Sequence, residues 1–455
     1  MIKDYILQNK TYASILFLNI FVLIFANILP GFIFLVLGSI CWIIVFKDNK
    51  EEYDLFTLII KMYIFSLPLS FTNVFGSGSG YSNITWFNIF FIILVLLGVM
   101  DLLKTKKIEL SLLSKAAIAM MVVSLIPLFV SVDFIDGLKQ YIYYFMACSV
   151  IIMGERIKNQ ITVKQKSELL LDYLFTTRVA AIGVMLQMFY IGITGHEIGH
   201  YRVYGTRQLY GFLFSDFSFL SLFIASGAVG IYFYKRKQTE SKKYWMAEFV
   251  LLLIASVVTS ARTGMMAFIA VFIIFNGLEI ISLAIKGSRK AIILLISNLG
   301  IIIVGLIGLS LVRPESLISD SGRSDLNQLA LNTFLENPLL GMGFGGSSYA
   351  NLVGMIPHNI IYQSLAQGGL LFTIPLFLFV GTILYTAYKE NAYVFSSILV
   401  VLIGSLFIPD IFNSRFFPVL LLLLAMKHSS LITNERISFS EVKYFLASMK
   451  SKLKE

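Results

Sequence analysis

GRSDLNQLALNTFLENPLLGMGFGGSSYANLVGMIPHNIIYQSLAQGGLL, residues 322–371, is the longest polar insertion in a chain that otherwise runs as almost continuous apolar helix. It opens with Arg323 and an amphipathic segment, Leu326 to Leu335. A Pro/Gly-rich turn follows (Pro338, Gly341, Gly343, Gly345, Gly346), and then His358 and Asn359 lead into the next apolar helix. Loops of this length are usually functional or disordered. This one carries enough apolar residues to pack. The rest of the chain reads as a scaffold that holds the loop at one face of a membrane.

Composition points the same way. Of 455 residues, 57% are hydrophobic and 14% charged, well below the share of about 25% charged in soluble domains, and mean hydropathy is +0.82. These values describe an integral membrane protein forming a single transmembrane domain over 1–455. Two cysteines in such a length leave no disulfide framework; Cys41 and Cys148 fall in apolar spans and read as packing residues. The net charge of +10 does not indicate nucleic acid, because the lysines cluster in short loops between spans, as topology alone requires. The first apolar span lacks a small-residue cleavage site and runs into a second, so no cleavable signal peptide is expected.

A bilayer is crossed by about 20 apolar residues in a helix. On that measure the chain is expected to be all-α, with about 12–14 spans. Fourteen is the favoured count, near 12–29, 31–46, 55–72, 86–102, 113–131, 134–154, 168–191, 210–233, 245–259, 262–284, 291–311, 360–387, 392–408 and 414–427. Lys and Arg in short loops set the orientation. KDNKEE, KTKK, ERIKNQITVKQK, YKRKQTESKK, KGSRK and YKEN fall on one side, with both termini and a basic tail at 428–455, and are assigned to the cytoplasm. The other side holds a large extracytoplasmic loop, 312–359, with short helices. Its one lysine is Lys139, and its other cations are all arginines: Arg202, Arg207, Arg262, Arg313, Arg323 and Arg415.

Outer cations run against the positive-inside rule and need a reason. Arginine rather than lysine suits planar, bidentate recognition of phosphate or carboxylate. The alternative is that some lie at the interface or pair with outer acids such as Glu197, Asp216, Asp320 and Asp325. Arg262, in the tight turn Ser260-Ala261-Arg262-Thr263-Gly264, stands at a membrane boundary and at a helix start, where backbone N–H groups also attract anions. His196-Glu197-Ile198-Gly199-His200 matches HExxH, the helix-borne zinc site. Gly195 and Gly199 weaken the helix it needs, and Val203 and Thr206 stand where the extended motif wants Gly and His. No metal site is therefore assigned. Asn359, Gln363 and Gln367 recur every four residues and form one polar ridge. His358 reads either as a helix cap beside interhelical hydrogen bonds or as a general base whose pKa lies near the working pH.

Arg323 followed by NTFLENPLLGMGFGGSSY and then HNIIYQSLAQGGLL resembles the hallmark of the O-antigen ligase and O-antigen polymerase superfamily. SARTG at 260–264 resembles that family's Ser-Arg-Thr span start, and RQLYGFLFSDFSFL resembles its Arg–Gly–Phe segment ahead of a span. The resemblance covers roughly residues 200–390; the N-terminal spans match in hydropathy alone. Two departures stand out: Gln367 where members often have an acid, and Ser215-Asp216-Phe217 where a Pro-Asn pair is common.

The resemblance implies a GT-C-like fold and a glycosyltransferase of the inner (cytoplasmic) membrane, active on the extracytoplasmic side. It implies no metal and no other cofactor, and the chain has no Asp-x-Asp motif. The donor would be an undecaprenyl-diphosphate-linked oligosaccharide and the acceptor a second lipid-linked repeat unit, giving O-antigen, capsule or exopolysaccharide. On this reading Arg207 and Arg262 bind the diphosphate, with Arg202 the alternative to Arg207. Arg323 supports them or holds the loop, His358 accepts the acceptor's proton, and Asn359 and Gln363 position it or the acceptor. A ligase-type transfer to a lipid, wall or protein acceptor shares these motifs. A flippase and a chain-length regulator are candidate partners alongside membrane lipids. A lipid-linked oligosaccharide flippase is the contrasting class, but the 312–359 insertion has no counterpart in the first half of the chain.

Overall fold

In a computed structural model the protein is described over residues 10–76, 80, 83–105, 110–235, 242–312, 323–346, 357–390 and 392–426. Much of the large loop, including Arg313 and Asp320, and the tail at 428–455 lie outside the described residues. The helices are α1 (Lys10–Phe25), α2 (Gly31–Asn49), α3 (Leu55–Phe65), α4 (Trp86–Thr105), α5 (Leu112–Val123), α6 (Leu125–Val130), α7 (Phe134–Ile157) and α8 (Val163–Thr194). A two-stranded hairpin, β1 (Tyr201–Tyr204) and β2 (Arg207–Tyr210), comes next. After it come α9 (Phe217–Lys235), α10 (Lys242–Val258), α11 (Arg262–Ile285), α12 (Lys290–Val312), α13 (Arg323–Glu336), α14 (Ile360–Glu390), α15 (Ala392–Gly404) and α16 (Phe416–Ala425).

A helix lies over each of the fourteen apolar stretches. Among the described residues seven, with α5 and α6 counted as one, are long and apolar enough to cross a membrane by length and composition. The chain is thus a mostly helical, membrane-embedded protein. The all-α expectation needs one correction, the hairpin at 201–210. Alternating Tyr, Arg, Val and Tyr suit a strand, and Gly205-Thr206 supplies a two-residue turn. The helix read from 210 starts only at Phe217, because the Asp216 carboxylate accepts from the N–H groups of Ser218 (2.7 Å) and Phe219 (2.9 Å) and caps it there.

One buried ion pair joins three helices of the bundle. Lys61 on α3 lies 2.7 Å from the fully buried Asp172 of α8, whose other oxygen accepts from Tyr12 of α1 at 2.8 Å. Intramembrane ions are tolerated when they pair in this way. Lys139, on α7, lies 3.7 Å from Asp136.

The polar insertion is built into a broken helix. α14 unwinds at Gly369 (φ 56°, ψ −161°). The break strands the N–H groups of Leu370 and Leu371, which donate to the carbonyls of Pro338 (2.8 Å) and Leu339 (3.2 Å). In return, the carbonyls of Ala366 and Gln367 accept from Met342 (3.0 Å) and Gly343 (2.8 Å), and Phe344 N–H donates to Pro127 at 2.9 Å. Irregular backbone at membrane depth survives only where protein satisfies it, and here the Pro/Gly turn does so. Gly343 sits at φ 92°, and a Cβ there would fall 2.4 Å from the backbone of Ser131.

Gly343→Ala is therefore expected to destabilise the protein by at least about 1–2 kcal/mol, from left-handed strain alone. Gly192, on an open face of α8 with nothing within 4 Å of an added Cβ, is the control, and Gly192→Ala should be neutral or slightly stabilising. Thermal unfolding in detergent checks both, and equal melting points for the two variants would dismiss the docking of the turn.

Candidate functional site

The site begins at the end of α8. Gly195 closes that helix, its N–H bonding Ile191 at 2.8 Å, so His196 to Gly199 run as loop. HExxH is thus not helical, and its two histidines do not share a helix face. His196 is exposed, whereas His200 stacks on Phe217 with ring centres 4.7 Å apart. Burial, with help from the neighbouring Arg202 charge, lowers the His200 pKa to about 4. It stays neutral under ordinary conditions, as a packed ring. Beneath it Gln187, fully buried on α8, clips the base of the hairpin. Its amide donates to the carbonyls of Ile198 (2.6 Å) and His200 (3.1 Å) and accepts from Phe212 N–H (2.7 Å).

That clip fixes where the hairpin arginines stand. Arg207, half-buried on β2, donates from Nε to Ser260 Oγ at 2.8 Å and from Nη2 to the Ser260 carbonyl. Ser260 itself adopts φ 60° and donates to the carbonyl of Val312 at 3.3 Å. Two residues later Arg262 is the first residue of α11. Arg207 and Arg262, distant in sequence, thus converge on one strained turn at a helix N-terminus. Arg202 is exposed on β1, with Nη1 3.4 Å from Tyr204 Oη.

Asp216 ties this group to His358. Burial raises its carboxyl pKa; the N–H groups of Phe219 and Ser218 oppose the shift, and the charges of His358 and Arg202 oppose it further. His358 and Arg202 therefore stand within electrostatic reach of one carboxylate. His358 is not the helix cap. Asn359 fills that place, its Oδ1 accepting from Ile361 N–H at 2.9 Å, because a short amide side chain reaches back to the first turn as imidazole does not. Arg323 is the half-buried first residue of α13, which packs along α14.

The polar ridge on α14 is real but turned inward. Gln363 and Gln367 are buried, and Gln363 Nε2 donates to Gln367 Oε1 at 3.2 Å. Gln140 of α7 donates to the same oxygen at 2.8 Å and accepts from Gly345 N–H of the loop at 3.1 Å. Gln363 accepts from Asp410 N–H at 2.8 Å. Its observed partners are thus protein groups, which makes it a brace between α14 and the segment before α16. Burial pushes the Asp410 carboxyl up to about 7, against hydrogen bonds from Phe412 N–H, Gln140 and Tyr144.

Sequence reasoning passed over Asp410, Gln140 and Gln187 and gave Arg415 no special place. Arg415 is 2% exposed at φ 65°, hydrogen-bonded to Asn88 and Tyr143 and lying 4.6 Å from the Tyr143 ring centre. A lone acid and a lone arginine in the short stretch PDIFNSR were the available signal. The glutamines gave none, since a helical glutamine looks alike whether it faces solvent or core. Comparison of the chain with protein-family models, curated proteins and solved structures gave no match.

Asp410 makes a pH test. Its folded pKa of about 7 exceeds the value of about 3.9 of an unfolded aspartate, so the folded state binds the extra proton between those limits. Stability should fall as pH rises from about 4 through 7 and then level off. Asp410→Asn should remove that part of the slope in melting curves taken across this range. An unchanged slope would mean that Asp410 ionises normally.

Proposed function

We propose that the protein is a polysaccharide polymerase. It transfers a growing glycan from polyprenyl diphosphate to the acceptor sugar of a lipid-linked repeat unit at the outer face of the cytoplasmic membrane. In this reading all fourteen helical stretches span the membrane in a GT-C-like arrangement. The observation that carries it is the convergence of Arg207 and Arg262 on the Ser260 turn at the N-terminus of α11. A guanidinium seated on that turn, a second arginine opening the helix and the helix N-terminus are the groups that would attract a diphosphate.

The chemistry follows from that placement. An acceptor hydroxyl attacks the anomeric carbon of the donor glycan, and the bond from that carbon to the diphosphate oxygen breaks. Polyprenyl diphosphate leaves with the electron pair, and Arg207 and Arg262 stabilise the charge gathering on it. His358 takes the hydroxyl proton. Asp216, within reach of His358, stabilises the imidazolium that forms. Asn359 holds the start of α14, and so the position of the preceding His358, while Gln363 ties that helix to the Asp410 segment.

The test uses full-length protein in nanodiscs with undecaprenyl-diphosphate-linked repeat units. His358→Ala should cut polymerisation by about 10²–10⁴-fold. Arg262→Lys should be nearly as damaging as Arg262→Ala, because lysine keeps the charge but not the planar fork. Asn359→Ala should cost about 0.5–2 kcal/mol of stability through the lost cap. Wild-type rates from both His358→Ala and Arg262→Lys would overturn the assignment, and transfer to an acceptor other than a lipid-linked repeat unit would make the protein a ligase.

A further inference from the structure

The exposed edge of the hairpin is built like a recognition surface. Register pairs Tyr204 with Arg207 and Arg202 with Leu209. Directly opposed residues project from the same side of a ladder, with Cβ atoms about 4.5–5.5 Å apart. Successive alternate residues share that side, so Arg202, Tyr204 and Arg207 stand on one face. Tyr204 is 53% exposed and Arg202 is exposed, while Arg207 turns inward to Ser260. The Arg202 guanidinium lies 3.4 Å from the Tyr204 hydroxyl, and its charge also reaches Asp216, which feels His358. An aromatic ring with a polar tip and a planar donor therefore flank the arginine pair, on a hairpin whose base Gln187 holds fixed.

A pyranose ring matches that arrangement. Its C–H face lies against an aromatic ring, and its hydroxyl edge accepts from a guanidinium. We propose that the Arg202–Tyr204 edge is a saccharide subsite that receives the sugar ring joined directly to the diphosphate. The proposal rests on the reading that Arg207 and Arg262 take that diphosphate. Because the clip orders the hairpin in advance, little of the contact energy is lost to ordering a loop. The competing role for exposed Tyr and Val at a membrane face is interfacial anchoring. An anchor has no reason to distinguish a lipid diphosphate that bears sugar from one that does not.

That difference is the experiment. Full-length protein in nanodiscs is titrated with undecaprenyl diphosphate and with undecaprenyl diphosphate carrying one hexose or N-acetylhexosamine. Tyr204→Ala should weaken binding of the sugar-bearing lipid about three- to tenfold and leave the bare diphosphate unchanged. Tyr204→Phe, which keeps the ring, should bind the sugar-bearing lipid within about twofold of wild type. Arg202→Ala should show the same selectivity as Tyr204→Ala. Equal weakening of both lipids, or of neither, overturns the subsite and leaves the hairpin an anchor. The underlying reading fails separately, if Arg207→Ala and Arg262→Ala bind the bare diphosphate as wild type does. Wild-type protein that binds neither lipid overturns both.

Discussion

Four backbone hydrogen bonds exchanged between the Pro338–Gly343 turn and the break in α14 fasten the loop to that helix. A helix opened inside an apolar bundle leaves amide and carbonyl groups that cost about 1–3 kcal/mol each if unmet. The turn meets them, so loop and helix cannot separate without exposing both. The same turn brings Phe344 onto Tyr144, with ring centres 5.3 Å apart, and sets Gly345 N–H on Gln140. A movement of the turn would therefore reach Gln367, Gln363 and Asp410 through one chain of contacts.

The charges follow the same economy of satisfied groups. Arg207 gives two of its donors to Ser260, whose hydroxyl and carbonyl are neutral acceptors. Lys61 shows the opposite arrangement, with Asp172 at 2.7 Å and both groups buried. The first contact places a side chain on a turn, and the second is a structural ion pair. The contrast separates cations that an apolar, helical sequence presents alike.

Much of this organisation was legible in the residues, for stated reasons. Runs of apolar residues set the helices, the Pro/Gly cluster marked the turn, and Ser260 to Gly264 marked a sharp helix start that the structure places at Arg262. The failures lay where local pattern and tertiary partner part company. The stretch from 201 to 210 reads as a polar approach to a span, yet it pairs as strands, and Gln187 near the end of α8 satisfies the backbone that flanks them. His358 and Asn359 are both plausible caps by position, and only the bond to Ile361 assigns the role to Asn359. For Gln363, expected to position His358 or the acceptor, the structure adds partners that no local pattern shows, Gln367 and the Asp410 N–H.

The N-terminal half, matched by no motif, supplies the supports on which the C-terminal motifs depend. Gln187 orders the strand that carries Arg207, Gln140 joins the loop to α14, and Asn88 and Tyr143 hold Arg415 at the start of α16. Each is a neutral hydrogen-bonding side chain on a long apolar helix, where an unmet polar group is expensive and a met one fixes geometry. The motifs alone would be arginines and a histidine on connecting segments. Held by these partners, Arg207 stands at the turn that begins α11, and His358 stands in the field of Asp216. Substitution of Gln187 by an aliphatic residue would leave the carbonyls of Ile198 and His200 and the N–H of Phe212 without that amide, and Arg207 would lose its placement while its own chemistry stayed intact.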